Sequence, residues 1–227
     1  MSNNIPPLVY EPPTIPWLDI RHVDRDIIVL NKPSGILTAP GKGLALQDSI
    51  WRRVQQRYPL SQVVHRLDLA TSGVLVLALR KKAEIALKKQ FMERSVQKMY
   101  VARVAGVMEK DEGLIDLPLI CDWDQRPKQK VCHEHGKPAQ TRFSVLSRDA
   151  DSTLVALYPI TGRSHQLRVH LLSIGHPILG DRFYAPPNVV ARSPRLLLHA
   201  QALSFNHPYS QQHLNFEVLP CRQLRNA

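Results

Sequence analysis

At 227 residues the chain is long enough to bury a substantial core, and its length fits one large domain. Thirty Lys and Arg against nineteen Asp and Glu leave a formal charge of +11 and a pI near 9.9, the electrostatic footprint of a phosphate-covered partner, so nucleic acid leads as the expected ligand. Three cysteines without a C-x-x-C pair argue against a disulfide framework, and no apolar run approaches the roughly 18 residues of a membrane span or forms a secretory leader, which sets the expectation at a reducing cytoplasm.

Residues 1–16 carry Pro6, Pro7, Pro12, Pro13 and Pro16 with little apolar periodicity, which predicts an extended arm without fixed structure and a folded chain from Trp17 onward. Asp26 to Asn31 reads as a strand ended by Lys32-Pro33-Ser34-Gly35, and Asp48 is placed to cap a helix that carries Ile50, Trp51 and Val54 and stops at Pro59. The run Val74 to Leu79 reads as a buried strand, residues 81–95 set Ile85, Leu87, Phe91 and Met92 at helical spacing, and Lys98 to Val104 alternates as a strand with Tyr100, Ala102 and Val104 on one side. The charged, proline-punctuated stretch 122–138 is an ordered hairpin tip or a mobile loop.

Strands follow at about 140–148 and 153–160, and then a helix over Arg163 to Ile174, with Leu167, Leu171 and Ile174 inward and Gly175 as its C′ residue. Further strands at about 196–205 and 213–218 precede a tail over 219–227. Without internal repeats or strict β-α alternation, the chain reads as α+β rather than doubly wound.

His65-Arg66-Leu67-Asp68, followed by Leu69-Ala70-Thr71-Ser72-Gly73, sets one carboxylate beside two basic side chains ahead of the buried strand. Neighbouring positive charge favours the charged form of an Asp, and an ionised Asp can act as nucleophile or base. An Asp in such a loop more often caps a turn, so the chemistry rests on the whole string and not on Asp68 alone. A second string, Arg163-Ser164-His165-Gln166-Leu167-Arg168-Val169-His170, puts Arg168 three residues after His165, away from the apolar stripe, where a guanidinium can meet a carboxylate.

These two strings resemble the motifs H-R-L-D-x-x-T-S-G and R-x-H-Q-[IL]-R-x-H of the RluA family of pseudouridine synthases. The resemblance runs from Trp17 to Phe216 and includes Leu117 to Trp123 and Arg126 to Lys130. It implies the pseudouridine synthase catalytic fold over 17–218, a mixed, mostly antiparallel central sheet flanked by helices and loops, with no room for an S4-like RNA-binding domain. It also implies conversion of uridine to pseudouridine in stem-loops of tRNA (anticodon loop, uridine 32) and 23S rRNA (uridine 746).

By the same resemblance Asp68 starts cleavage of the N1-glycosidic bond, by attack on the sugar, attack on the base or removal of a sugar proton. Arg168 pairs with Asp68. Tyr100 stacks on the target uracil and helps remove its C5 proton, while Leu167 lines the other side of the base pocket. Arg66 enters the space left by the flipped base or clamps a local phosphate, two roles that both imply RNA. His65 and Arg163 complete the substrate contacts expected of the two motifs. Arg126, Lys128 and Lys130, near Trp123, combine phosphate-directed charge with an aromatic surface suited to gripping RNA.

The isomerisation is redox-neutral, so no cofactor is expected, and Cys132, His133 and His135 lack the paired spacing of a metal site. A monomer with no protein partner and no membrane contact is expected. Two rivals are weaker: a non-catalytic RNA-binding or ribosome-associated protein would need only the basic charge, and a hydrolase on Asp68 and His65 would need a nucleophile elbow or a second carboxylate.

Overall fold

A computed structural model of the chain describes residues 10–225. Its strands are β1 (Ile20–Val23), β2 (Ile27–Lys32), β3 (Gln62–Val63), β4 (Ser72–Ala78), β5 (Gln97–Ala105), β6 (Glu112–Asp116), β7 (Leu119–Cys121), β8 (Gln129–Val131), β9 (Gln140–Arg148), β10 (Ser152–Pro159), β11 (Leu198–Asn206) and β12 (His213–Glu217). Its helices are α1 (Ile50–Gln55), α2 (Lys81–Met92), α3 (Gln166–Ser173), α4 (Pro187–Val190) and α5 (Arg222–Arg225). The main sheet runs β1-β2-β4-β11-β5-β10-β9-β6, with β12 added to β11 and β3 to β4. Of its pairings only β4–β11 is parallel, so the expected mixed, mostly antiparallel sheet is what forms. No helix among the described residues is long and apolar enough to cross a membrane.

β4 reads as a continuous apolar run because both of its faces are covered. Leu75 and Leu77 pack with Ile28, Leu30 and the α1 residues Ile50 and Val54, while Val74, Val76 and Ala78 pack with Ile27, Val29 and the α2 residues Ala83 and Leu87. Full burial of each leucine is worth about 1.5–3 kcal/mol. At the parallel junction Gly73 has φ 119°, and a Cβ there would lie 2.1 Å from the Ala200 carbonyl oxygen, so only glycine lets β4 lie this close to β11. A third cluster joins β5, β9 and β10 to Leu167 and Leu171 of α3 and to Leu224 of α5, which ties the 219–227 tail to the core as far as it is described.

Several expectations need correction. Of the proline-rich arm, residues 1–9 lie outside the described residues, but the rest is not free. The Tyr10 phenol donates to the Asp48 carbonyl (2.7 Å) and accepts from the Leu37 N–H (3.0 Å). Arg53, almost wholly buried, bonds the Pro13 and Trp17 carbonyls and lies 4.0 Å over the Trp17 ring. Ser49, not Asp48, caps α1, because the Asp48 carboxylate is taken by a two-point bond with Arg53 at 2.8 and 2.6 Å. α2 buries Ala83, Glu84 and Leu87 and leaves Ile85 and Met92 exposed; Glu84 can be inward because Lys81 and Lys88 reach it at 2.8 and 2.6 Å. The stretch 122–138 is an ordered hairpin closed by β7 and β8, and β6 is a strand the sequence reading missed.

Candidate active site

The turn bearing Asp68 is backed by the segment that leaves β2. Thr38 Oγ1 donates to the Leu67 carbonyl (2.9 Å) and accepts from the Leu67 N–H (3.1 Å), and the Gly35 N–H and Ser34 hydroxyl bond the Leu69 and Ala70 carbonyls at 2.9 and 2.7 Å. Lys32, fully buried, donates to the carbonyls of Pro33, Ile36 and Leu69 at 2.9, 2.8 and 3.2 Å. Burial pushes its ammonium down to about 7, against the upward pull of the Asp68 charge. The loop carbonyls are thereby satisfied from behind, and the Asp68 side chain is left about one-third exposed on the open side.

The other wall is α3, which starts at Gln166 and not at Arg163. His165 is its N-cap residue in the left-handed region (φ 53°), and the Gln166 side chain folds back to accept from the Arg163 N–H (3.0 Å) and the Thr161 hydroxyl (2.7 Å). The helix is buried nearly all round, so Arg168 does not lie on a polar face; its polar side chains are inside because each finds partners. His170 bonds Thr141 Oγ1 and the Leu117 carbonyl, and Gln166 bonds the Gln140 carbonyl and Thr141.

Arg168 donates from Nε and Nη2 to the two Asp181 oxygens at 2.8 and 2.6 Å, and its Nη1 stands 3.5 Å from Asp68 Oδ2. The guanidinium also lies 5.0 Å from the ring centres of both Phe183 and Tyr184. Burial disfavours the charge, but the bonds and charge of Asp181, with Asp68 behind them, outweigh it and raise the pKa. Asp181 was not singled out from the sequence; its only signal is a Gly-Asp pair at a turn, where it also accepts from the Phe183 and Tyr184 N–H groups.

His165 Nε2 lies 3.9 Å from Asp68 Oδ2, while its Nδ1 is 2.6 Å from the Tyr184 hydroxyl. That hydroxyl also accepts from the Gln129 N–H (2.8 Å); in the tautomer in which its own proton goes to Nδ1, His165 presents an Nε2–H toward Asp68. Burial lowers the His165 pKa despite Asp68, which favours this neutral form. The β7–β8 hairpin is thus connected to the acid through Gln129, Tyr184 and His165.

Between these walls lies a cavity of about 710 Å³, within the usual range of ligand sites. Asp68, Tyr100, Arg168, His65, Arg66, Leu167 and Arg163 all line it, and Asp68 is its one carboxylate among the described residues. Burial and then the Asp68 charge raise the Tyr100 phenol well above its ordinary value, so the ring is a neutral surface and not a resting base. His65 accepts the Val76 N–H on Nε2 (3.1 Å), stacks on Phe91 at 4.7 Å, and is pushed by burial to about 3, so it is a neutral wall of the cavity.

Arg126, Lys128 and Lys130 do not line the cavity. Arg126 stacks 3.6 Å over Trp123, Lys128 bonds Gln125 at 3.0 Å and Lys130 bonds Asp122 at 3.1 Å, all on the hairpin. The one cluster of metal-ligating side chains among the described residues, Asp24, Asp26 and His207, lies elsewhere; Asp26 pairs with Arg80, and Asp24 with His22 and His207.

Residues 26–173 match the family described as RNA pseudouridylate synthase. Dual-specificity RNA pseudouridine synthase RluA of Salmonella typhimurium (strain LT2) and that of Escherichia coli (strain K12) are each 58% identical to the chain over 210 residues, covering 92% of it and 96% of the relative. The chain belongs to the RluA family of RNA pseudouridine synthases. Members of this family are isomerases acting on RNA, and so is this chain. Its fold agrees: human RNA Pseudouridylate Synthase Domain Containing 1 superposes with a TM-score of 0.77 at 29% identity, covering 92% of this chain and 86% of that one. Human RNA Pseudouridylate Synthase Domain Containing 4 gives 0.72 at 27% identity, covering 91% and 93%. The family match contains Asp68, Tyr100 and Arg168 and stops short of Asp181.

Proposed function

We propose that the chain converts uridine to pseudouridine in two RNA contexts, a tRNA anticodon stem-loop at uridine 32 and a 23S rRNA stem-loop at uridine 746, with Asp68 as the catalytic aspartate and the target base flipped into the cavity. The observation that carries this is Asp68 itself: a part-exposed carboxylate, 3.5 Å from a buried arginine, in an otherwise cationic cavity. Nearly full-length identity of 58% to relatives named for dual specificity supports the two targets.

In the reaction the N1–C1′ bond breaks, the uracil turns, a C5–C1′ bond forms, the C5 proton leaves and N1 takes up a proton. Asp68 acts on the nucleoside, and Arg168 fixes the position of its carboxylate. Tyr100 and Leu167 enclose the uracil, with Tyr100 packing on it as a neutral ring. Arg66, exposed next to Asp68, occupies the vacated stack or holds a phosphate, Arg163 contacts the strand at the cavity edge, and Arg126, Lys128 and Lys130 approach the stem from the hairpin. On this basis the chain works in the cytoplasm as a monomer, a setting that suits Cys121, Cys132 and Cys221, all free thiols.

Tritium release from RNA carrying C5-labelled uridine tests the assignment. Asp68→Asn is expected to bind the stem-loops with near wild-type affinity while release falls by a factor on the order of 10²–10⁴. Wild-type release from that variant ends the catalytic assignment, and pseudouridine mapping in RNA from a deletion strain decides the two targets.

A further inference from the structure

α2 ends at the cavity mouth on an arginine where glycine is the usual residue. The Arg94 N–H bonds the Phe91 carbonyl (3.3 Å) and the Ser95 N–H bonds the Gln90 carbonyl (3.1 Å), a Schellman closure with Arg94 at φ 59°. Left-handed backbone is disfavoured for any residue with a Cβ, and strain kept beside a site points to a use for the side chain. The Arg94 side chain is exposed, lines the cavity, and makes no hydrogen bond or ion pair among the described residues.

Four residues on, Lys98 of β5 lines the same cavity, half-buried, with one long contact to the Thr161 carbonyl at 3.5 Å. Burial and then the charge of Arg94 lower its pKa, so the two cations that line the cavity repel each other. The single carboxylate lining the cavity, Asp68, faces Arg168, and Lys98 has no acid partner among the described residues. A solvated lysine on an open face would show neither this burial nor this repulsion. Two uncompensated cations at the entrance to a cleft that receives RNA fit one class of ligand, a phosphodiester.

We infer that Arg94 and Lys98 together bind a backbone phosphate of the RNA strand as it enters the cavity. This rests on RNA entering the cleft, as the proposed function requires.

Equilibrium binding of an anticodon stem-loop RNA to the full chain, from about 50 to 200 mM salt, tests it with two variants, Arg94→Gly and Lys98→Met. Each is expected to weaken binding several-fold and to lower the slope of log affinity against log salt by about 0.7–0.9, irrespective of base sequence. Arg94→Gly is also expected to melt at or above the wild-type temperature, because glycine relieves the left-handed backbone. Unchanged salt slopes in both variants overturn the inference, as does an affinity loss in Arg94→Gly that comes with a lower melting temperature. A wild-type chain that binds the RNA and releases no tritium overturns the isomerase assignment instead, and the slopes still decide the phosphate site.

Discussion

Asp181 grips Arg168 through two hydrogen bonds and thereby aims the remaining edge of the guanidinium at Asp68, 3.5 Å away. The acid proposed for the chemistry is thus positioned by a second acid, 1% exposed, that never faces the cavity. Arg168 is shared unequally: the shorter, two-point contact goes to Asp181, and Asp68 receives the weaker one that leaves its carboxylate available.

Asp181→Asn is expected to leave Arg168 buried with only the part-exposed Asp68, 3.5 Å away, as counter-charge. Breaking a buried pair in this way costs about 3 kcal/mol, which for a chain of this size lowers the melting temperature by roughly 6–12 °C. Tritium release should fall more steeply than stem-loop affinity, since the guanidinium loses its aim and the RNA loses no direct contact. Calorimetry and the release assay check both halves, and a fully stable, fully active variant contradicts the positioning role.

Tyr184→Phe removes the hydroxyl that joins the Gln129 N–H to His165 Nδ1. Two buried or part-buried groups then lack a partner, for a stability loss of about 1–3 kcal/mol. Amide exchange at Gln129 should accelerate and turnover should drop, because the hairpin and the Asp68 neighbour are released together. Unaltered protection at Gln129 in exchange measurements speaks against this link.

Acid should weaken the fold through His199, 3% exposed between Ser72 Oγ and the Val218 carbonyl. Burial holds its pKa down to about 4, with Arg195 adding to the drop and the carbonyl bond opposing it, against an unfolded value of 6.5. Between those values the unfolded chain takes up a proton that the folded chain refuses. Stability therefore rises with pH across this window and is lost as pH falls through it, by on the order of 3 kcal/mol. In His199→Gln the difference between melting temperatures at about pH 7 and pH 4.5 should be smaller than in the wild type; equal differences rule His199 out as a source.

The parts legible in the sequence were those with a local signal. β4 announced itself by an unbroken apolar run, and Gly175 by its place after the last helical residue, where its N–H and that of His176 bond the Leu172 and Leu171 carbonyls at 2.9 Å each. Asp68 and Arg168 were legible through the wording of two motifs, and the structure brings both to one cavity. Asp181 was not, because a Gly-Asp turn looks the same whether or not an arginine 13 residues earlier needs it. The start of α3 was misplaced because a helix buried on every side has no apolar stripe to mark its first turn. The choice of Ser49 over Asp48 as cap, and of Glu84 over Ile85 as an inward residue, was settled by Arg53, Lys81 and Lys88, side chains whose reach a periodicity count does not weigh.

β4 meets β11 through residues as distant as Ser72 and His199, 127 positions apart. During translation the Asp68 turn therefore emerges long before Arg168, Asp181 or β11 exists to complete its surroundings. Nascent fragments that end before Arg168 carry the acid without its arginine clamp, and those that end ahead of β11 lack the strand on which β4 rests. The surroundings of Asp68 are accordingly completed only once most of the sequence has left the ribosome, a consequence of chain topology alone.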